Sequence, residues 1–392
     1  MGFRNTVIVD SVRTPSGKGK PGGALSEVHP AALLGQTLHA LLERSSVEPG
    51  SIDDVIAGCV SQVGEQSANI ARNAIMSSGL PVTLPGVTID RQCGSGQQAT
   101  LFAAALVETG VASRVIAGGV ESMSRVPLGS AQAGQDPFSP ASHERFGTLV
   151  HQGISAELIA ARYGLSRAMQ DAFAAQSHQR ASAADFTREL TGVLLPDGRR
   201  HDVDETIRAT TTIEALGTLN PAFRDPAIES RFPEIQWSVT AGSSSPFTDG
   251  AAAALVMRED EARDLGLRPL ARIVDGLSVG SDPIEMLTGI IPACEQLLER
   301  NGLHYDDIDR FEVNEAFASV VLAWIQHSGV DPARVNPEGG AIALGHPLGA
   351  TGVRIMTTLL HGLHRSNSRF GVQLMCEGAG MANATLFERI VE

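Results

Sequence analysis

Apolar and polar residues alternate in two periods along the first third of the chain, and these periods predict strands and helices in turn. Leucines spaced three and four apart predict a helix over Pro30 to Arg44. Short runs of β-branched residues predict strands between the helices. This alternation is typical of parallel strands with helices on both faces of a sheet. The predicted strands are 6–10, 54–60, 86–90 and 114–119, and further helices are predicted over 68–78 and 97–106.

The same order of elements returns in the last third of the chain, with some of the same letters. Leu-Leu-Glu-Arg occurs at 41–44 and again at 297–300, and Ile-Asp occurs at 52–53 and again at 308–309. Because these matches share one spacing across a helix and a turn, we interpret the chain as two duplicated α/β halves. Two unrelated α/β units with similar helices are the alternative interpretation.

Between the halves the alternation is interrupted. Residues 125–147 are rich in Gly, Pro, Ser and charged side chains, and helices are predicted over 155–163 and 168–186. This stretch has no counterpart in the second half and is too long for a linker, so we interpret it as an insertion over the core. The predicted domains are an N-terminal core over 1–120, completed by about 246–268, a loop domain over 121–245 that covers the active site, and a C-terminal core over 269–392.

Composition narrows the class of protein. Of 392 residues, 43% are hydrophobic and 19% are charged, which predicts a large packed core rather than disorder. A net charge of −14 argues against nucleic acid as a partner. The N-terminal residues are too polar for a signal segment, and no apolar run approaches the roughly 20 residues that cross a bilayer. We therefore expect no membrane partner.

The four cysteines, Cys59, Cys93, Cys294 and Cys376, form no C-x-x-C pair. A chain of this size needs no disulfide, so their presence predicts a reducing compartment and a cytoplasmic location. Their spacing matches no zinc-ligand pattern, so we expect no bound metal.

Cys93 lies where a predicted strand leads into a predicted helix, in the stretch Gln92-Cys93-Gly94-Ser95-Gly96. Unpaired N–H groups and the helix dipole at such a position favour a thiolate. The two glycines allow another backbone or a substrate to come close. By itself, a small buried and inert cysteine is an equally good interpretation.

Three later loops carry the other candidate residues. Asn314 follows a predicted strand, His346 lies among glycines before a helix predicted over 351–363, and Cys376 ends a strand predicted over 370–375. Since parallel strands end at one edge, we expect these residues to converge with Cys93. Histidine is a base for a cysteine nucleophile, and a second cysteine can transfer a proton. Each residue also has a structural interpretation, as a helix cap, a turn histidine or a buried cysteine.

Taken in order, these motifs resemble the thiolase family over essentially the full chain. The resemblance implies a five-layer αβαβα fold made of two duplicated halves and an inserted loop domain. It also implies that acyl-CoA and CoA are the partners, that CoA is a co-substrate with no tightly bound cofactor, and that the protein is a homodimer or homotetramer. The matching stretches are Cys93-Gly94-Ser95-Gly96, Glu121-Ser122-Met123-Ser124, Asn314-Glu315-Ala316-Phe317, Gly345-His346-Pro347-Leu348-Gly349 and Cys376-x-Gly-x-Gly.

The resemblance implies an acyltransferase reaction. Cys93 takes the acyl group of a 3-ketoacyl-CoA, acetyl-CoA or propionyl-CoA leaves, and CoA removes the shortened acyl chain. His346 activates Cys93 and, with a water held by Asn314, stabilises the enolate oxygen. Cys376 is the acid and base at the acetyl carbon. The N–H groups of Cys93 and Gly378 hold the thioester oxygen, where one donor contributes about 3 kcal/mol.

The same resemblance assigns the binding residues. Ser245 and Phe247 lie in a stretch similar to the family's pantetheine-contacting loop. Gln152, where short-chain members carry methionine, and Phe317 are expected in the substrate pocket.

Several positions depart from the family pattern. Ala379 replaces a glycine and is expected to crowd the site or to need an ordinary backbone conformation. Glu377 replaces an often apolar residue and is expected to raise the pKa of the neighbouring thiol. The Gln97-Gln98 pair and Cys-Glu-Gly resemble bacterial thiolases implicated in degrading steroids and other bulky acyl-CoAs, so we expect a bulky or branched substrate.

Four functions remain open from the sequence. A degradative thiolase of β-oxidation and a biosynthetic acetoacetyl-CoA thiolase would share every site residue. A ketoacyl synthase is disfavoured because those relatives lack a cysteine at the position of Cys376. Ala379 permits a low-activity or non-enzymatic homologue that binds CoA thioesters, and acylation of Cys93 would exclude it.

Overall fold

The computed structural model describes residues 2–391. Ten of its strands form one mixed sheet, and two short strands form a separate hairpin. The strands are β1 Thr6–Arg13, β2 Gly17–Lys18, β3 Asp54–Gly58, β4 Val87–Ile89, β5 Arg114–Ser122, β6 Val193–Leu194, β7 Arg200–His201, β8 Thr248–Arg258, β9 Ala271–Gly280, β10 Arg310–Val313, β11 Phe370–Glu377 and β12 Met381–Arg389. The helices are α1 Pro30–Ser45, α2 Ile70–Ser77, α3 Ser95–Glu108, α4 Pro140–Phe146, α5 Gln152–Arg162, α6 Arg167–Ala183, α7 Ile213–Gly217, α8 Glu259–Asp264, α9 Ile290–Arg300, α10 Ala318–Ser328, α11 Ala341–Leu344 and α12 Leu348–Arg365.

The large sheet consists of two halves with the same strand order. The order is β4-β3-β5-β8-β1 in one half and β10-β11-β12-β9 in the other, and the halves meet where two residues of β1 pair with β9. In the second half, a parallel bridge between Phe311 and Val335 corresponds to the pairing of β3 with β4 in the first half. The predicted duplication is therefore confirmed.

The prediction of parallel strands is wrong for part of the sheet. The neighbours β5–β8, β8–β1, β11–β12 and β12–β9 are antiparallel. β11 and β12 are joined by the three residues Gly378–Gly380. So short a connection allows only an antiparallel pair, because a parallel pair needs a crossover of a dozen or more residues.

Corresponding side chains of the two halves make the same contacts. The carboxylate of Asp53 accepts the backbone N–H groups of Ser113 and Arg114 at 2.6 and 3.0 Å. The carboxylate of Asp309 accepts those of Arg369 and Phe370, both at 2.8 Å. Each residue of the second set is 256 positions after its counterpart. The repeat therefore extends to individual hydrogen bonds.

Helices α3 and α12 form the central layer and cross at glycines of the two halves. A Cβ atom on Gly352 would lie 2.0 Å from the backbone nitrogen of Gln97, and one on Gly96 would lie 2.8 Å from the carbonyl oxygen of Gly349. Any side chain at these positions would force the helices apart. Because the crossing lies at the first turn of each helix, the loops before α3 and α12 come together.

The apolar clusters give the remaining layers. α1 and α2 cover the outer face of the N-terminal half, and α9 and α10 cover that of the C-terminal half. α3 and α12 contact strands of both halves from the inside. This is the five-layer αβαβα arrangement that the resemblance implied.

The insertion supplies α4 to α7 and the hairpin of β6 and β7, and α5 and α6 pack on α10. α5 begins at Gln152 rather than 155 because the His151 ring caps it, accepting the Gly153 N–H at 3.0 Å. The domain bounds stay a prediction, and their end residues, Met1 and Glu392, lie outside the described residues. No helix within 2–391 is long and apolar enough to cross a membrane.

Candidate active site

Cys93 lies in the tight turn between β4 and α3. Gln92 before it has a positive φ of 49°, and Gly94 after it caps the helix. The side chain is only 3% exposed. Burial, Cys376 and Glu377 raise the pKa of Cys93 well above its usual range, while the N–H groups of Gly378 and of Cys93 itself lower it. Both N–H groups therefore lie near the sulfur.

Cys376 lies near the end of β11, fully buried and beside Asn314. The Asn314 side-chain amide donates to the Cys376 sulfur at 3.9 Å. Burial raises the pKa of Cys376 to about 12, and the Asn314 bond opposes that rise. The Asn314 side-chain oxygen is buried and has no hydrogen-bond partner among residues 2–391. That oxygen is free to accept a bond from a water or a substrate.

Two threonines orient His346. Its Nδ1 lies 2.7 Å from the Thr351 hydroxyl, and that hydroxyl donates to the Pro347 carbonyl at 2.8 Å. The hydroxyl therefore accepts from Nδ1–H, which leaves the lone pair on Nε2. The backbone N–H of His346 donates to the Thr248 hydroxyl at 3.1 Å.

The imidazole of His346 is neutral in this setting. Burial and the charge of Arg354 lower the pKa of His346 to about 3. Nε2 is buried and has no partner among the described residues, so it forms no hydrogen bond with the Cys93 thiol. A neutral ring with a free lone pair can accept a proton as a general base.

A small cluster of side chains joins the Cys93 loop to the His346 loop. Leu348, two residues after His346, packs with Cys93, Met123 and Met375 in one buried group. Pairing of β10 with β11 sets Asn314 beside Cys376. The structure thus gathers the two cysteines and the asparagine, and it holds the histidine loop against the first cysteine.

A buried carboxylate locks the loop that carries Asn314. Glu315 accepts hydrogen bonds from the Ser177 hydroxyl at 2.7 Å, the Asn336 amide at 2.8 Å and the Ile342 N–H at 3.1 Å. These bonds tie the Asn314 loop to α6 and to the segment before His346. The motif contained Glu315, but the sequence did not predict this role.

Gly378 lies where two glutamine side chains meet. A Cβ atom on Gly378 would be 3.1 Å from Gln152 Nε2 and 3.2 Å from Gln92 Oε1. Phe317 is 6% exposed and contacts Phe223 edge-on, with 5.6 Å between the ring centres. Gln152 therefore lies beside Gly378, and Phe317 is buried against Phe223; their roles in a substrate pocket stay predictions.

The predicted CoA-loop residues lie farther out. The Ser245 N–H donates to the Ala316 carbonyl at 3.0 Å, which places this half-buried serine beside the Asn314 loop. Phe247 is 60% exposed. Their contact with CoA stays a prediction.

The expectations for Ala379 are wrong. Ala379 is exposed, so its methyl group does not crowd the sulfurs. It adopts a left-handed conformation with φ of 63°, and Gly380 follows with φ of 76°. The short β11–β12 turn forces this backbone whichever residue stands there, at a cost of about 1 kcal/mol for alanine. The expectation for Glu377 agrees in direction, since its charge raises the pKa of both site cysteines.

Comparison with known proteins agrees with this geometry. The thiolase N-terminal domain model matches residues 6–260, and the thiolase C-terminal domain model matches residues 267–389. The chain is 43% identical over 396 residues to steroid 3-ketoacyl-CoA thiolase FadA6 of Mycobacterium tuberculosis, covering 98% of this chain and 94% of that protein. It is 44% identical over 400 residues to 3-ketoacyl-CoA thiolase of Citrobacter koseri, covering 99% and 100%.

A solved structure shows the same fold. The acetyl-CoA acetyltransferase of Bacillus anthracis superimposes with a TM-score of 0.87 at 36% identity, covering 99% of this chain and 100% of that one. The chain belongs to the thiolase family. Its fold and family membership are therefore established, and the motifs identified both correctly.

Sequence reasoning missed the residues that orient the thiolase histidine. Thr351 is five positions after His346, and Thr248 is about a hundred positions before it. The spacing of Thr351, one turn into the following helix, was a usable signal. Thr248 gave none, because only the folded chain brings β8 to the histidine loop.

Proposed function

We propose that this protein cleaves a 3-ketoacyl-CoA with CoA, through an acyl group carried on Cys93. One observation carries the proposal. Two buried cysteines lie at one site together with a neutral histidine. The hydrogen bond of Nδ1 to Thr351 fixes the tautomer of this histidine and leaves Nε2 without a proton. A thiol nucleophile, a base and a second proton carrier are the groups that carbon–carbon thiolysis needs.

In the first half-reaction, His346 Nε2 accepts the proton as the Cys93 sulfur attacks the 3-keto carbon. Because burial raises the pKa of the thiol and lowers that of the ring, both are neutral at rest, and the proton moves as the S–C bond forms. The N–H groups of Cys93 and Gly378 stabilise the oxyanion. The bond between the α and β carbons then breaks, and Cys376 protonates the departing enolate.

In the second half-reaction, the sulfur of CoA attacks the Cys93 thioester. Cys376, now a thiolate held by Asn314, takes the proton of the incoming CoA thiol. The tetrahedral intermediate collapses, acyl-CoA leaves, and the Cys93 sulfur regains a proton from His346. The two half-reactions together return Cys93, His346 and Cys376 to their initial protonation states. CoA is the co-substrate.

The substrate is a bulky 3-ketoacyl-CoA in the degradative direction. The support is the likeness to FadA6, whose name specifies steroid 3-ketoacyl-CoA, together with Gln152 at the site rim. Ser245 and Phe247 contact the pantetheine arm, and Phe317 lines the acyl pocket. Steady-state rates with polycyclic, long-chain and acetoacetyl-CoA substrates test this, and a preference for acetoacetyl-CoA would favour the biosynthetic alternative.

The protein acts in the cytoplasm as at least a homodimer, without nucleic acid or membrane partners. Within residues 2–391 all four cysteines are unpaired and buried, which suits a reducing compartment. The edge strand β4 has its outer side open, and Val87 on it is 41% exposed. An open edge with exposed apolar side chains favours pairing with a second copy.

Substitution of each cysteine tests the reaction. We expect Cys93→Ala to abolish turnover and to prevent the mass increase that a 3-ketoacyl-CoA gives the wild-type protein. Cys376→Ala should block turnover and exchange of the acetyl α-protons while a pre-formed acyl-CoA still acylates Cys93. Cys294→Ala, a buried cysteine outside the site, is the control for folding. Turnover in Cys93→Ala, or equal loss of acylation in both variants, would contradict the assignment.

A further inference from the structure

Glu377 is buried at the end of β11, beside the turn that carries the nucleophile. Side chains alternate along a strand, so Met375 and Glu377 share a face. Met375 packs in one cluster with Cys93. A Cβ atom on Gly94, the residue after Cys93, would lie 1.8 Å from a Glu377 carboxyl oxygen. The carboxyl therefore lies directly against the turn that holds the nucleophile.

Neither oxygen of this carboxyl has a hydrogen-bond partner within residues 2–391, although the side chain is 0% exposed. Arg91 and Asp90 interact electrostatically with this carboxyl. The carboxyl in turn raises the pKa of Cys93 and of Cys376. Arg91 makes no ion pair with Glu377, and its own Nε atom is buried and unpartnered. The carboxyl thus has one cation nearby but no donor in contact.

The internal repeat provides a reference for this carboxyl. Glu121 is 256 positions earlier, at the corresponding place in β5, and it accepts the N–H of Gly349, the residue 256 positions after Cys93. The corresponding donor for Glu377 would be the N–H of Cys93. Glu377 makes no such bond, since neither of its oxygens has a partner within residues 2–391. The active-site half therefore lacks the hydrogen bond that the other half gives to its carboxylate.

An ionised carboxylate without donors is costly to bury. Burial raises the pKa of Glu377 to about 8, Arg91 lowers it and Asp90 raises it. At neutral pH the group is a neutral acid, and it becomes charged only in mild alkali. Its charge then acts on Cys93, whose thiolate would stand beside it, and two neighbouring like charges disfavour each other.

We propose that Glu377 is a positioning residue for the Cys93 thiolate: it contributes a neutral carboxyl at neutral pH, and its ionisation in alkali opposes the thiolate. The pair is therefore neutral at neutral pH, and in mild alkali the charge on one member disfavours the charge on the other. The inference rests on the proposed role of Cys93 as acyl carrier. No covalent step is involved, and the carboxyl proton goes to solvent.

Alkylation of Cys93 by iodoacetamide in the full-length protein tests the proposal, because the rate reports the thiolate. The rate is followed from about pH 6 to about pH 10, and the labelled cysteine is identified by peptide mass. Near neutral pH we expect wild type and Glu377→Gln to agree within about twofold. Above the titration of Glu377 the variant should react about tenfold faster, which corresponds to a shift of about one pH unit.

Glu377→Leu should diverge from the wild type in the same way, because the effect comes from charge. Glu48→Gln, which removes an exposed carboxylate far from the site, is the matched control and should follow the wild-type profile. Superimposed profiles for wild type and Glu377→Gln would overturn the proposal. A constant ratio at every pH would also overturn it, because a merely structural role changes all rates alike.

A second measurement uses the infrared carbonyl band of a protonated carboxyl. We expect the difference spectrum of wild type minus Glu377→Leu to show this band at neutral pH and to lose it in mild alkali. A difference spectrum without the band at neutral pH would refute the proposal. Neither measurement needs turnover, so a protein that cleaves no ketoacyl-CoA can still give both expected results, and failure of the proposed function stays distinguishable.

Discussion

The two halves of the molecule carry the same buried carboxylic acid and use it in different ways. Glu121 in β5 and Glu377 in β11 are 256 positions apart and both are 0% exposed. Glu121 accepts the N–H groups of Val60 and Ser61 at 3.0 Å, the Gln66 amide at 2.8 Å and the N–H of Gly349 at 2.9 Å. Glu377 accepts none among the described residues.

The loops around the two acids explain the difference. After β3 the loop turns its N–H groups toward Glu121, and the thiol of Cys59 also points there at 3.9 Å. After β10 the corresponding loop carries Asn314, which turns toward Cys376. The residue of β5 that corresponds to Cys376 is Val120. The two halves thus carry the same acid at corresponding positions. Glu121 holds its loops together through hydrogen bonds, whereas Glu377 has no hydrogen-bond donor among the described residues.

The largest effect is expected at the satisfied acid. Glu121→Gln places an NH₂ group where two N–H donors point, so it should cost about 4 kcal/mol of unfolding free energy. Urea unfolding at neutral pH measures the loss. A cost below about 1 kcal/mol would show that the four bonds do not hold the loops.

The second prediction concerns the unsatisfied acid and its pH dependence. The folded-state pKa of Glu377, about 8, lies above its ordinary value of 4.5, so the folded protein holds this proton more tightly than the unfolded chain. Wild-type stability therefore falls as pH rises from about 4.5 and levels off above about 8. Glu377→Gln should gain about 3 kcal/mol relative to wild type between about pH 4.5 and about pH 7. Urea unfolding at a series of pH values checks this.

Glu144→Gln, which removes an exposed carboxylate in α4, is the control for that series. Its stability difference from wild type should not vary with pH. If the stability difference between Glu377→Gln and wild type were also independent of pH, the pKa of Glu377 would be the same in the folded and unfolded states. The lack of partners at Glu377 would then have no energetic cost, in contradiction to the comparison with Glu121.

The smallest effect is expected at the turn between β11 and β12, where the other half carries the long insertion. Ala379→Gly relieves a left-handed alanine, so it should raise the unfolding free energy by about 0.5 kcal/mol after the entropy of glycine is subtracted. The turnover number should not change, because the methyl group points to solvent. A loss of stability would mean that the strain at φ of 63° is compensated elsewhere.

Much of the site was predictable because its residues lie in local motifs. Cys93 before a helix, His346 among glycines and Cys376 at a strand end each have a spacing that the chain sets within a few residues. The antiparallel β11–β12 pair was not predicted, although the three-residue connection could have indicated it. Helix starts moved where a cap such as His151 lay outside the apolar pattern.

Motifs in the chain were enough to identify the family, to predict the duplication and to select the candidate reactive side chains. The folded structure was needed to show which buried acid has partners, which nitrogen of His346 holds the lone pair and which backbone conformation Ala379 adopts. The physical reason is the origin of the contacts. A motif is built from neighbours in the chain, whereas the partners of a buried polar group come from distant positions. Gly349 is 228 positions from Glu121, and Thr248 is 98 positions from His346.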